Sequence, residues 1–375
     1  MRRVTGWLTG LTVCTLMTSL ATAGPATAAP VAADAGTIVA ERPIGPGSAV
    51  PGAADSRTVT YRTTGAEGLA NAMIFEPEGT PPQGGWPIVA WAHGTVGMAD
   101  QDAPSNTGVN YQLYRDLFSD WLRRGFLVVA TDYAGLGTPG VHPYLDADVA
   151  AHNVVDSVRA ARSLHPEASD VWAVAGQSQG GHAALATAVR AETLSPELDF
   201  RGTFASGAPT NLDRLAALAG PDFPDLHLDG LTLYMVYVAA GLRQSRPDVD
   251  VDSYLTPLGR ELVDAADTTP LDVFRPSVAS VPLGSLFTRP LAGTPIPQAL
   301  TDYLGVPTTG FDEPVMLVQG LADHVVPPPL TLWYSAELAL SGEPPELLLP
   351  AGGHISSLEQ SVPEIGAFLE RILAP

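Results

Sequence analysis

The chain has 375 residues, 45% of them hydrophobic, and its 40 acidic side chains outnumber 19 basic ones, all arginine, for a formal net charge of −21. An excess this acidic repels nucleic acid and anionic membranes and excludes both as partners. Its length and apolar content provide for one large domain carrying an insertion, or for two domains.

Residues 1–28 read as an export signal: Arg2 and Arg3, a mostly apolar stretch from Trp7 to Leu20, then Ala26, Thr27 and Ala28 as a small-residue cleavage site. Gly10, Thr12, Thr15, Thr18 and Ser19 interrupt the stretch, which fits a cleaved leader rather than a retained span. Cys14, the one cysteine, lies inside it, and Val13 before it is a poor match to a lipid-attachment site. The mature chain is therefore expected to have neither a disulfide nor a thiol nucleophile. Residues 29–57 form an arm rich in Pro, Gly and Ala without a sustained period, expected to lie disordered on the surface.

From residue 58 to 211, short apolar runs bounded by turn residues recur: Leu69 to Phe75, Pro87 to Ala92, Phe126 to Thr131, Val171 to Ala175 and Phe200 to Ala205. Helical spacing separates several of them, with Leu113, Tyr114, Leu117 and Trp121 on one stretch and Val154, Val155, Val158 and Ala161 on another. Strands alternating with helices of this length predict an α/β fold, a mainly parallel sheet covered by helices on both faces. The regularity breaks over 212–305, where Leu231 to Leu242 is nearly all apolar and a Pro-rich stretch follows. This segment is expected to be a mostly helical cap inserted between strands, with Leu231 to Leu242 a buried helix. The core resumes over 306–375 with runs Pro314 to Gln319 and Glu346 to Leu349.

One motif misleads. Gly135, Gly137 and Gly140 spell G-x-G-x-x-G after an apolar run, but a dinucleotide turn needs a helix to start at once. Pro139 and Pro143 forbid that, and the next helical pattern begins near Asp146. The segment is a rigid loop.

A second motif stands in its required context. The run 171–175 leads into Gly176-Gln177-Ser178-Gln179-Gly180, a G-x-S-x-G between strand and helix, which marks Ser178 as a nucleophile on a strained elbow. Such an elbow orders its partners as Ser, acid, His. Asp323 follows a strand pattern in Gly320-Leu321-Ala322-Asp323, with Asp213 the substitute acid. Only His227, His324 and His354 follow the start of the insertion; His324 adjoins Asp323, so their side chains diverge, and the base is then read as His354 in the glycine-rich loop after the last strand. Acyl transfer also needs donors for the developing oxyanion. The N–H of Gln179 after the nucleophile and that of Thr95, or alternatively Gly94, in His93-Gly94-Thr95 are placed to serve. No metal site is expected: His93, His142, His182 and His354 are scattered, and no H-E-x-x-H motif or cysteine pair exists. Neither metal nor organic cofactor is needed.

With these motifs in order, the chain resembles the α/β-hydrolase superfamily and, within it, the secretory lipase family of lipase A-like enzymes. The resemblance rests on His93-Gly94-Thr95, Asp132-Tyr133-Ala134-Gly135-Leu136-Gly137-Thr138, His142-Pro143-Tyr144, Gly176 to His182, Gly320 to Asp323 and Gly352-Gly353-His354, over roughly residues 70–373. It implies a secreted carboxylic ester hydrolase acting on acyl esters such as triacylglycerols, with Ser178, Asp323 and His354 as triad and a cap over an acyl-binding tunnel. It also implies that loop 131–145 walls the site, with Asp132 structural. Family members with disulfides find no counterpart here. A small-molecule or lipid ester is the expected substrate, with transient contact at a lipid interface and no stable protein partner. The rival readings are a serine peptidase on the same fold and a non-catalytic binding module.

Overall fold

The computed structural model describes residues 34–374, apart from 46–47, 65–67, 110 and 227. The export signal with Arg2, Arg3, Cys14 and its cleavage site, and also His227, lie outside the described residues. Three strands open the fold as an antiparallel meander, β1 (Ile38–Pro43), β2 (Ala53–Arg62) and β3 (Leu69–Pro77). Then come β4 (Trp86–Ala92), β5 (Leu127–Ala134), β6 (Ala168–Gln177), β7 (Asp199–Ser206), β8 (Val315–Val318) and β9 (Glu346–Leu348). The sheet order is β1-β2-β3-β5-β4-β6-β7-β8-β9, and every pairing from β5 to β9 is parallel.

Residues 29–57 are thus not a featureless arm: β1 and the start of β2 lie within them. Nothing periodic marks β1 because it is an edge strand with an exposed burial pattern. Its backbone bonds to β2 hold it, and pairing of that kind leaves no trace in side-chain hydropathy.

Thirteen α-helices accompany the strands among the described residues. The first five are α1 (Pro104–Thr107), α2 (Gln112–Arg123), α3 (Ala147–Leu164), α4 (Gln179–Ala188) and α5 (Ala191–Leu194). Between β7 and β8 lie α6 (Leu212–Ala216), α7 (Leu231–Ser245), α8 (Pro257–Ala265), α9 (Leu271–Val278) and α10 (Ile296–Leu304). The chain ends with α11 (Pro328–Leu340), α12 (Ser356–Gln360) and α13 (Val362–Leu373).

Burial on both sheet faces follows from the two-residue period of the strands. On β4, Val89 and Trp91 join Leu117 and Trp121 of α2 and Phe368 of α13 in one core. Ile88 and Ala90 face the other way, onto Val154, Val155 and Val158 of α3 and Ala183 and Ala184 of α4. A third core belongs to the helical segment, where Leu233, Val236 and Tyr237 of α7 pack with Phe274 of α9 and Leu300 and Tyr303 of α10. Leu231–Ser245 is accordingly a buried helix within the insertion. Among the hydrogen bonds that fasten this segment to the rest of the fold, Tyr303 Oη donates to the Tyr144 carbonyl at 2.8 Å, and His182 Nε2–H of α4 to the Leu304 carbonyl at 2.7 Å. No helix among the described residues is long and apolar enough to cross a membrane.

Candidate active site

The carboxyl ends of β4 and β6, residues of β5 and the loops after β8 and β9 meet at one cavity of about 490 Å³. Ser178 sits at the junction of β6 and α4 with φ 57° and ψ −120°, in a region an L-residue enters only when its surroundings enforce it. Enforcement comes from close packing. A Cβ on Gly176 would overlap the Gly180 carbonyl, and one on Gly180 the Ala92 carbonyl at the end of β4. The Ser178 N–H donates to the Ser206 carbonyl at 2.7 Å, which ties the elbow to β7. Gln179 opens α4, so its N–H is among the donors a helix leaves without an intrahelical acceptor.

Asp323 lies buried in the loop after β8. Its Oδ1 accepts from the N–H groups of Val325 and Val326 at 2.8 and 2.9 Å. Its Oδ2 accepts from His354 Nδ1–H at 2.7 Å and from Gln319 Nε2 at 3.3 Å. Burial pushes this carboxyl up, but the His354 hydrogen bond and charge and the two backbone donors outweigh it and hold the group below its ordinary range. The His354 loop is pinned to the Asp323 loop by Leu321 N–H on the Pro350 carbonyl and Ala322 N–H on that of Gly352.

With Nδ1–H committed to Asp323, the other imidazole nitrogen is an acceptor. The Gln177 amide donates to His354 Nε2 at 3.1 Å, and Tyr114 Oη donates to Gln177 Oε1 at 2.9 Å. Tyr114, Gln177, His354 and Asp323 thus form one directed chain of hydrogen bonds, and all but Asp323 line the cavity beside Ser178. Sequence reasoning missed Gln177 and Tyr114. Gln177 occupies a variable place of its motif, and only the folded chain brings the two side chains together.

Gly207, after β7, was missed as well. At φ 54° it lies under the imidazole, and an added Cβ would stand 2.9 Å from His354 Cε1. Gly207→Val is expected to displace the ring and cut kcat on an ester by about 100-fold, since small misplacements of a reacting group have effects of that size. Steady-state kinetics beside a thermal melt separate this from unfolding.

Thr95 follows β4 and lines the same cavity. Its Oγ1 and Tyr144 Oη are 2.6 Å apart, so the loop 135–146 steadies the segment after β4 from behind. The expectation that loop 131–145 walls the cavity is corrected here. Within that range only Thr131 is a lining residue, and the loop acts through Tyr144. Gly135, Gly137 and Gly140 adopt positive φ in it, and no helix follows before Ala147.

The other candidates lie elsewhere. Asp213 on α6 accepts from Thr301 Oγ1 at 3.1 Å and is not among the partners of His354. His142 is buried against the Ala134 carbonyl and Gln179 Nε2, and burial lowers its pKa to about 4, so it stays neutral. Among the described residues, no group of His, Cys, Asp and Glu could hold a metal ion.

Asp132 is buried and accepts from the Ser105 N–H at 3.1 and 3.2 Å, capping α1. Burial pushes its pKa up to about 7 against the pull of the Ser105 bonds and Arg42. A carboxyl raised on folding binds more protons folded than unfolded, so its contribution to stability is complete below the unfolded value and fades as pH rises through 7. The span from about 4 to about 7 corresponds to on the order of 4 kcal/mol. Asp132→Asn keeps an acceptor for Ser105 and should flatten that decline, as melting curves from pH 5 to 8 would show.

The secretory lipase family matches residues 101–268. No curated protein matches the sequence. Lipase A of Candida antarctica superposes with a TM-score of 0.68 at 18% identity, over 86% of this chain and 78% of that one. The closed state of the same lipase gives 0.70 at 17%, covering 90% and 82%. The rice cell wall degrading esterase LipA of Xanthomonas oryzae gives 0.70 at 19%, covering 90% of this chain and 98% of that one. With this sheet and elbow the chain has the α/β fold of those lipase and esterase structures, and its residues 101–268 match the secretory lipase family.

Proposed function

We propose that the protein is a secreted serine hydrolase of carboxylic esters, triacylglycerols among them, and that Ser178, His354 and Asp323 carry the reaction. The observation that supports this most directly is the His354 Nδ1 to Asp323 Oδ2 bond of 2.7 Å, which leaves Nε2 as a proton acceptor in the cavity that holds Ser178. His354 takes the Ser178 proton as Oγ attacks the ester carbonyl, and Asp323 steadies the imidazolium. Before substrate arrives, Gln177 holds Nε2; the serine hydroxyl takes its place when the acyl group is seated. The N–H groups of Gln179 and Thr95 receive the oxyanion. The imidazolium of His354 gives that proton to the departing alcohol, which leaves an acyl-enzyme; water then attacks the acyl group with the neutral His354 again as base, and the acid leaves as Ser178 recovers its proton.

Met73, Trp91, Val109, Phe118 and Ala130 give the cavity an apolar wall, which suits an acyl chain. Export rests on the leader at 1–28 and on the matched family, and a cell-fractionation assay tests it. For the reaction, purified protein is offered p-nitrophenyl esters of rising chain length and an emulsified triglyceride. Long-chain turnover that rises at the oil interface supports a lipase, turnover of short soluble esters alone an esterase, and cleavage confined to a peptide panel the rival peptidase.

A further inference from the structure

Of the seventeen arginines among the described residues, fifteen have a hydrogen bond or ion pair, as forty acidic side chains in the sequence would lead one to expect. The two without one are Arg162 and Arg275. Arg162 is on α3, behind the sheet. Arg275 is on α9, and with Tyr234 of α7 it supplies the inserted segment's share of the lining of the Ser178 cavity.

The placement of Arg275 is fixed by its neighbours. Phe274, buried one residue before, stacks on Tyr237 with centroids 5.6 Å apart at 11°. Asp102 Oδ2 accepts from the Leu271 N–H at 3.0 Å and anchors the start of α9 to the loop after β4. Neither Asp102 nor Asp272 forms an ion pair with Arg275. Burial pushes the hydroxyls of Tyr144 and Tyr237 far above their ordinary range, and the nearby charge of Arg275 acts against that at both. Tyr144 holds Thr95, so this cation lies close to the catalytic loop. Tyr237 adds a second unmet donor: its hydroxyl is buried with no hydrogen-bond partner among the described residues.

Arg275 also borders a second cavity, but a charged fork with no ion pair among the described residues, lining the cavity that holds Ser178, has the chemistry of an oxyanion receptor. We propose that Arg275 makes this cavity selective for soluble esters bearing a carboxylate or phosphate, with that group held on the side of the cavity formed by the inserted helices. The apolar wall contributed by the sheet and α2 takes the uncharged chain. The net charge of −21 repels extended anionic surfaces, so a single anionic ester molecule is the ligand rather than an anionic bilayer. This inference rests on the proposed ester hydrolysis.

Two pairs of matched substrates test it. The carboxylate arm compares mono-p-nitrophenyl adipate with p-nitrophenyl hexanoate; the phosphate arm compares dihexanoyl phosphatidic acid with dihexanoylglycerol. The ratio of kcat/KM, anionic over neutral, is measured for the native protein and for Arg275→Gln, Arg275→Lys and Arg162→Gln. Arg275→Gln is expected to lower the ratio about 5- to 30-fold in the arm that carries the native group, mostly through KM. Arg275→Lys should restore part of it, and Arg162→Gln should leave it where it was. The preference should also weaken as salt is raised. If the ratio is the same in the native protein and Arg275→Gln in both arms, or falls equally in Arg162→Gln, the proposal is wrong. Were no ester of either kind turned over, the hydrolase reading itself would fail first.

Discussion

Ser178→Ala should leave a folded protein with turnover of any ester reduced about 10⁴- to 10⁶-fold, the range seen when a triad nucleophile is removed. The serine contributes little else to the fold. Among the described residues its side chain has no hydrogen-bond partner, and the N–H that anchors the elbow to Ser206 survives the change. Alanine carries the same Cβ as serine at φ 57°, so the strain of the elbow is unchanged and stability should move little. The check is ester kinetics beside circular dichroism and covalent labelling by a fluorophosphonate. Labelling of the native protein at Ser178, absent in the variant, supports the nucleophile. Turnover retained by Ser178→Ala would mean that another group attacks, and no labelling of the native protein would favour the binding-module reading.

Asp323→Asn should be nearly as damaging, with about a 10⁴-fold loss, and the structure gives the reason in terms of donors and acceptors. Two backbone N–H groups, of Val325 and Val326, point at one carboxylate oxygen, so the asparagine must present its single carbonyl there. Its amide nitrogen then faces His354 Nδ1 and the Gln319 amide, where the carboxylate had been an acceptor for both. His354 is driven to the tautomer with hydrogen on Nε2, which cannot take a proton from Ser178. The Gln319 amide is left facing another donor, and a loss of about 1–3 kcal/mol of stability follows. Single-turnover acylation would show the effect directly: a slow burst with normal substrate binding supports this account, while an unchanged burst would remove Asp323 from the acylation step.

Asp323 also sets an acid limit to the fold. Because its carboxyl is held low in the native state, its contribution to stability is present above the unfolded value and is lost as pH falls through the folded one. Asp132 works in the opposite sense, since burial raises it.

Much of this site was legible early because its parts are local. The elbow at 176–180 needs glycines beside the nucleophile for steric reasons, and those reasons are written in adjacent letters. The order of Ser178, Asp323 and His354 could be read once each was seen to follow a strand-like run. The edge strand β1 was not legible, because it is held by backbone pairing to β2 rather than by a buried face. Residues 131–145 differ from expectation for a related reason: beyond Thr131, which lines the cavity, they reach the site through a hydroxyl pair, Tyr144 with Thr95, that no spacing announces.

By itself, the sequence determined the alternation of buried strands and amphipathic helices, the elbow, and which residue types could form a triad, because hydropathy period and glycine sterics act within a few residues. Only the tertiary structure decided that Gln177 and Tyr114 hold His354 in one tautomer, that Gly207 makes room for its ring, and that Arg275 faces the cavity without a partner. Those facts depend on residues up to 177 positions apart meeting within hydrogen-bond distance, and long-range packing, which sets such meetings, has no local period to betray it.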